Sequence, residues 1–128
     1  MARSEVIQLK KHEMNFEIEL TPGFLKSLKA LAKKHRSIKQ DFLEFTSGLK
    51  ENPLQGAEIA PGIRKIRMAI SSKGRGKSGG ARVITYTMLI SEVSGIIYMI
   101  DIYDKADYST VDVELIKKFI DEITGDGK

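Results

Sequence analysis

Hydrophobic and polar positions repeat along this chain with two different periods, and the switches between them mark the elements. Phe16, Ile18 and Leu20 alternate with Glu17 and Glu19, the period-2 pattern of a strand with one buried face. Thr21-Pro22 follows: a capping hydroxyl, then a proline suited to a first helical turn whose amides have no partner inside the helix. Over 22–35 the period becomes helical. Phe24, Leu25, Leu28, Leu31 and Ala32 fall on one face, with Lys26, Lys29, Lys33 and Lys34 largely elsewhere. Those lysines read as a solvated face, with extension of a polyanion-binding surface as the alternative. Ser37 is expected to cap a second helix reaching about residue 50, whose apolar stripe is Ile38, Phe42, Phe45 and Leu49, and Asn52-Pro53 ends it. Two amphipathic helices in succession predict a helical hairpin laid on a sheet.

The second half is strand-rich. Residues 53–62, punctuated by Pro and Gly, read as a loop. A strand over 63–70 puts Arg64, Ile66, Met68 and Ile70 on one parity and Lys65, Arg67 and Ala69 on the other. A turn over 71–80, a strand over 82–89, a turn at Ser94-Gly95 and a nearly continuous apolar strand over 96–103, expected centrally, follow. Ser109 with Asp112 has the form of a capping box before a third helix carrying Val113, Ile116, Ile120 and Ile123, which Gly125 ends. The fold class is therefore α+β, a small antiparallel sheet with helices on one face, in the order β-α-α-β-β-β-α. Residues 1–13 read as a tail and 14–124 as a single domain.

Charge sharpens this picture. The stretch 63–86 carries Arg64, Lys65, Arg67, Lys73, Arg75, Lys77 and Arg82, with no Asp or Glu between Glu58 and Glu92. Removing those seven from the 21 basic residues leaves 14 against 17 acidic ones, so the excess of positive charge is local. Clustered charge of this kind focuses a field on one place, which suits a polyanion. With no cysteine, a disulfide framework, a thiolate zinc site and a cysteine nucleophile are excluded. His12 and His35 both lie outside the basic stretch, so neither a histidine metal cluster nor a histidine-pair mechanism is expected there. No apolar run approaches the roughly 20 residues of a membrane-spanning helix, and a cytoplasmic protein is expected.

Several chemistries can be tested against the basic stretch. Gly76-Lys77-Ser78 matches the end of a nucleotide-binding P-loop, but the position of its first glycine is Ser71 and a strand follows where a helix is required. Asp101, Asp104 and Asp107 lack the calcium-loop pattern. Phosphate recognition fits better. Gly74, Gly76, Gly79 and Gly80 let backbone amides approach an anion, and Lys73, Arg75 and Lys77 supply charge. Arg82 with Lys65 or Arg67, from neighbouring strands, can converge on one phosphate. RNA cleavage by a 2′-hydroxyl needs a base, cations for the phosphorane and a proton for the leaving oxygen. Crowded cations weaken one another's hold on a proton, which makes Lys65 or Lys105 a candidate for proton transfer. A basic hairpin that only binds is the competing reading.

Arg-Lys-Ile-Arg at 64–67, Lys-Gly-Arg-Gly-Lys-Ser-Gly-Gly-Ala-Arg at 73–82 and Tyr-Met-Ile-Asp-Ile-Tyr-Asp-Lys at 98–105 resemble the RelE/HigB-type toxins of bacterial type II toxin-antitoxin systems, closest to the HigB branch. The likeness spans about 14–123. It implies a microbial-RNase-like domain that enters the ribosomal A site and cuts messenger RNA without a metal or other cofactor. By matching motif positions it implies catalytic roles for Lys65, Arg67 and Arg82. Arg64, Lys73, Arg75 and Lys77 would bind RNA. The arginine and tyrosine that RelE uses late in its chain have no clear counterparts here; Lys105, Tyr108, Tyr86 or Tyr103 would substitute. The implied partners are the ribosome, messenger RNA and an antitoxin of helix-turn-helix type, the toxin being monomeric or part of a hetero-oligomer. The same scaffold hosts ParE-type toxins, which target DNA gyrase and are not nucleases. That function, or a basic nucleic-acid-binding module, is the alternative, and the basic stretch weighs against the gyrase reading.

Overall fold

The computed structural model describes residues 15–107 and 111–125; the expected tail, Tyr108 and the capping role of Ser109 lie outside the described residues. Strand β1 is Asn15–Leu20, helix α1 Pro22–Lys34, helix α2 Ile38–Glu51, and the strands β2 to β5 are Ala57–Ala60, Ile63–Met68, Ala81–Ser91 and Ser94–Asp104. Helix α3 is Val113–Thr124. The five strands form one sheet in the order β1-β5-β4-β3-β2. Its pairs are antiparallel except β1 with β5, which run parallel. The expected α+β order is found, with one addition: β2 arises inside the segment expected to be a loop. Only four residues long and half exposed, it carries too little alternation to stand out from a Pro/Gly-rich connection.

Local chemistry sets the helix ends. Thr21 caps α1 by accepting from the Phe24 amide, while its hydroxyl donates to Met99 O at 2.8 Å, tying the helix start to β5. Ser37 stands at the cap position of α2 but makes no capping bond; its hydroxyl donates to Asp41 Oδ2 (2.7 Å) and accepts from the Ser72 amide (2.9 Å). Asp112 caps α3 through the Leu115 amide, and Gly125 closes it at φ 76°.

The helices occupy both faces of the sheet, not one. Phe24, Leu31, Ile38 and Leu49 of α1 and α2 pack on Ile66, Met68, Val83, Ile97 and Met99. Ile116 and Ile120 of α3 pack on Ile63, Ile84, Tyr98 and Ile100, the opposite parity of the same strands. Sequence pattern could not separate these arrangements, because β4 and β5 are apolar on both parities. Leu25 and Ala32, expected on the buried face of α1, are exposed. The apolar strand β5 is interior, flanked by β1 and β4, while β4 holds the middle place.

One irregularity organises the far end of β5. Thr85 pairs with Met99 and Ile84 with Asp101, so Ile100 is an extra residue, a β-bulge. It inverts the facing of everything after it. Ile102 returns to the α1/α2 core opposite Val83, Tyr103 lies beside Arg82 on the α3 face, and Asp104 turns toward α1.

Phe24 is fully buried, with its ring 5.3 Å from that of Phe42, and joins both helices of the hairpin to the sheet. Phe24→Ala is expected to cost about 3–5 kcal/mol by opening a cavity there, read as a lower denaturant midpoint at unchanged slope.

Candidate functional site

Three rows of side chains cross the α3 face of the sheet, because directly paired residues point the same way. The first is Ile63–Tyr86–Tyr98, the second Lys65–Ile84–Asp101 and the third Arg67–Arg82–Tyr103. Lys65 and Arg67, expected on one parity of their strand, lie on this face together with Arg82 from the neighbouring strand. They differ sharply in what they touch. Arg67 is exposed and Lys65 half-buried, whereas Arg82 is only 7% exposed. Arg82 donates through one terminal nitrogen to Lys77 O (3.2 Å) and Ala81 O (3.1 Å) and through the other to Ser78 O (3.1 Å). A guanidinium cannot lose its proton and offers five donors in a fixed fork. Here the fork gathers the carbonyls that end the glycine-rich loop.

That loop, 69–80, is pinned at three points. At its start the Ser71 amide donates to Asp41 Oδ2 at 2.9 Å, and the Ser71 hydroxyl donates to Oδ1 of the same carboxylate. Burial pushes the Asp41 carboxyl up, but the hydrogen bonds from Ser71 and Ser37 outweigh it and hold it below the ordinary aspartate value. A 3-10 turn, Ser71–Lys73, then brings Lys73 Nζ to Asp104 Oδ1 at 2.8 Å. Asp104 also receives His35 Nε2 at 3.0 Å and the Ala106 amide at 3.0 Å. Its burial acts upward, and the bonds from Lys73, Ala106 and His35 with the charge of Lys73 act downward and prevail. Arg82 makes the third pin. Gly74 and Gly76, at φ 70° and 63°, take the left-handed turns between them. Gly80 is obligatory for another reason: a Cβ there would lie 2.2 Å from Met68 O.

The seven cations of the basic stretch thus divide by task. Arg64 faces the α1/α2 side, 3.9 Å from Glu58, with its Nε buried and unpartnered. Lys73 belongs to Asp104 and Arg82 to the loop carbonyls. Lys65, Arg67, Arg75 and Lys77 form no ion pair among the described residues, and Lys105 is exposed just beyond β5. Tyr86 is half-buried and stacked on Tyr98 at 6.2 Å, one row from Lys65. Tyr103 is buried beside Arg82. Burial pushes its phenol above the usual value, Arg82 opposes this, and Asp101 reinforces it. No group of three or more His, Cys, Asp or Glu able to hold a metal occurs among the described residues. Asp101 and Asp104, tested above as metal ligands, are engaged with Ser27 and with Lys73 and His35 respectively.

Sequence reasoning missed Asp41, His35 and the structural use of Asp104. Their partners lie between 30 and 69 residues away along the chain, and no local spacing announces them. No protein-family model matches this chain.

The Asp104 carboxylate has a folded-state pKa below its unfolded value, so its contribution is present above the unfolded pKa and is lost as pH falls through the folded one. Asp104→Asn is expected to lower stability at neutral pH by roughly 1–3 kcal/mol. The difference from the parent chain should shrink toward pH 3, measured by thermal unfolding across that range. An unchanged difference at low pH would show that the carboxylate's charge is not what holds the loop.

Proposed function

We propose that this protein is an RNA-cleaving toxin of the RelE/HigB type, a ribosome-dependent endoribonuclease held in check by an antitoxin. The observation that carries the reading is the pair Lys65 and Arg67, in no ion pair among the described residues, on the α3 face of the sheet next to a cationic loop that Arg82, Asp41 and Asp104 pin. A phosphate approaching that face meets charge that is already in place, so little ordering is needed at the moment of reaction.

In this mechanism the 2′-hydroxyl of one nucleotide attacks its own 3′-phosphate. The new P–O bond gives a 2′,3′-cyclic phosphate, the bond to the next 5′-oxygen breaks, and a proton passes from the attacking to the leaving oxygen. Arg67 and Lys65 stabilise the extra negative charge on the phosphorane. Lys65 or Lys105 carries the proton. Arg75 and Lys77 hold flanking phosphates. Arg82 is a positioning residue: its guanidinium acts through the loop carbonyls. An antitoxin, expected to carry a helix-turn-helix domain, is the partner that keeps this face from the ribosome.

The test is brief induction of the chain, Arg67→Ala and Arg82→Ala in separate cells, with new RNA 5′ ends mapped on translated messages. Arg67→Ala should reduce in-frame cleavage on the order of 10²-fold with an unaltered melting temperature. Arg82→Ala should reduce cleavage and also speed hydrogen exchange in the loop. Growth arrest without new 5′ ends would overturn the nuclease reading and favour a toxin or binding module that acts by occupancy.

A further inference from the structure

A cleft of about 590 Å³ opens between the starts of α1 and α3. Its position follows from strand lengths. β1 pairs with β5 only as far as Met99, so the edge of β5 from Ile100 onward has no strand beside it. α1 closes the gap from one side with Gly23 and Ser27, α3 from the other with Leu115 and Phe119. The floor is Ile84, Ile100 and Tyr103. The lip is acidic. Asp101 Oδ1 accepts from the Ser27 hydroxyl at 2.7 Å and from the Ile102 amide at 2.9 Å, and Asp112 stands at the start of α3. Asp101 thereby occupies the edge amide of Ile102 that an added strand would need, which disfavours an extended peptide as the occupant.

Two register relations join this cleft to the cations. Ile84 of the floor is the direct partner of Lys65, and Tyr103 the direct partner of Arg82, which itself pairs with Arg67. Adjacent strands lie about 4.8 Å apart, so the cleft begins roughly one strand from Lys65 and two from Arg67. A ligand that reaches both places is apolar and flat at one end and anionic at the other. The acidic lip repels the anionic end and accepts hydrogen bonds from the other. We propose that the cleft is a nucleobase subsite, taking an amino-bearing base, adenine, cytosine or guanine, of the RNA nucleotide whose phosphate meets Lys65 and Arg67. Tyr103 and Phe119 supply the aromatic surface that single-stranded RNA recognition uses, and Ser27 orients Asp101 to accept from the exocyclic amino group. This rests on the RNA-cleaving reading above and adds a base preference to it.

Gly23 provides a clean probe. It lies in the first turn of α1 without positive φ, and a Cβ added there meets nothing within 4 Å. Gly23→Leu should fill the cleft mouth while favouring the helix. The experiment follows backbone amides of the full chain by NMR during titration with inorganic phosphate, with the 5′-monophosphates of adenosine, cytidine and uridine, and with the nucleosides adenosine and uridine. Phosphate is expected to move the amides around Lys65 and Arg67 alone. Adenosine and cytidine monophosphates are expected also to move Ile84, Ile100 and Phe119, with uridine monophosphate roughly tenfold weaker for want of one charge-assisted hydrogen bond. Gly23→Leu should remove the cleft response, keep the phosphate response and melt no lower than the parent. Nucleotides that move only what phosphate moves, uridine and cytidine monophosphates of equal strength, or a Gly23→Leu variant with an intact cleft response would each overturn the assignment. If phosphate leaves Lys65 and Arg67 unmoved, the RNA-cleaving reading fails by itself. The cleft is then decided by the nucleosides: a response to adenosine above uridine upholds the base subsite, and its absence overturns it.

Discussion

The arrangement of the charged face depends on the Asp104 carboxylate. One buried acid binds Lys73 of the loop, His35 at the end of α1 and the Ala106 amide of the following turn. A buried carboxylate is costly unless its lone pairs are met, and here at least three donors meet them. Removing Lys73 from the solvent-facing set is the consequence. The basic loop is tied at its root to the α1/α2 side of the sheet. That tie exists only because the bulge at Ile100 turns Asp104 toward α1; with regular pairing, Tyr103 would stand opposite Ala81 in its place.

The cations of the basic stretch therefore fall into two sets, separated by their internal partners. Arg82 and Lys73 spend their hydrogen bonds inside the protein, on carbonyls and a carboxylate, and so shape the loop. Lys65, Arg67, Arg75 and Lys77 form no ion pair among the described residues. Arg67 and Arg82 are direct cross-strand partners, a pairing that would be unfavourable between two exposed like charges. Directing the Arg82 guanidinium onto three carbonyl dipoles relieves the repulsion and makes the pair tolerable.

The two short outer strands shape the rest of the surface. β2 covers β3 only through Lys65 and β1 covers β5 only through Met99, so both edges are open at the end of the sheet that bears the loop. Asp101 blunts one of them by accepting from the Ile102 amide, a carboxylate device that discourages strand addition. The same residue gives the adjacent cleft its acidic lip.

The amino-acid sequence alone determined the order of every element but β2, the helix caps at Thr21 and Gly125, and the placing of Lys65 and Arg67 on one parity of the strand beside the one that carries Arg82. These are local or period-2 properties, and they survive whatever the chain packs against. It did not reveal β2, whose four residues carry no pattern, or the placement of α3 on the opposite face, because strands apolar on both parities accept helices on either side. Nor did it reveal that Arg82 and Lys73 are structural. Arginine and lysine read alike in a basic run, and only long-range partners such as Asp104, together with burial within the assembled sheet, decided which cations hold the loop and which have no ion partner among the described residues.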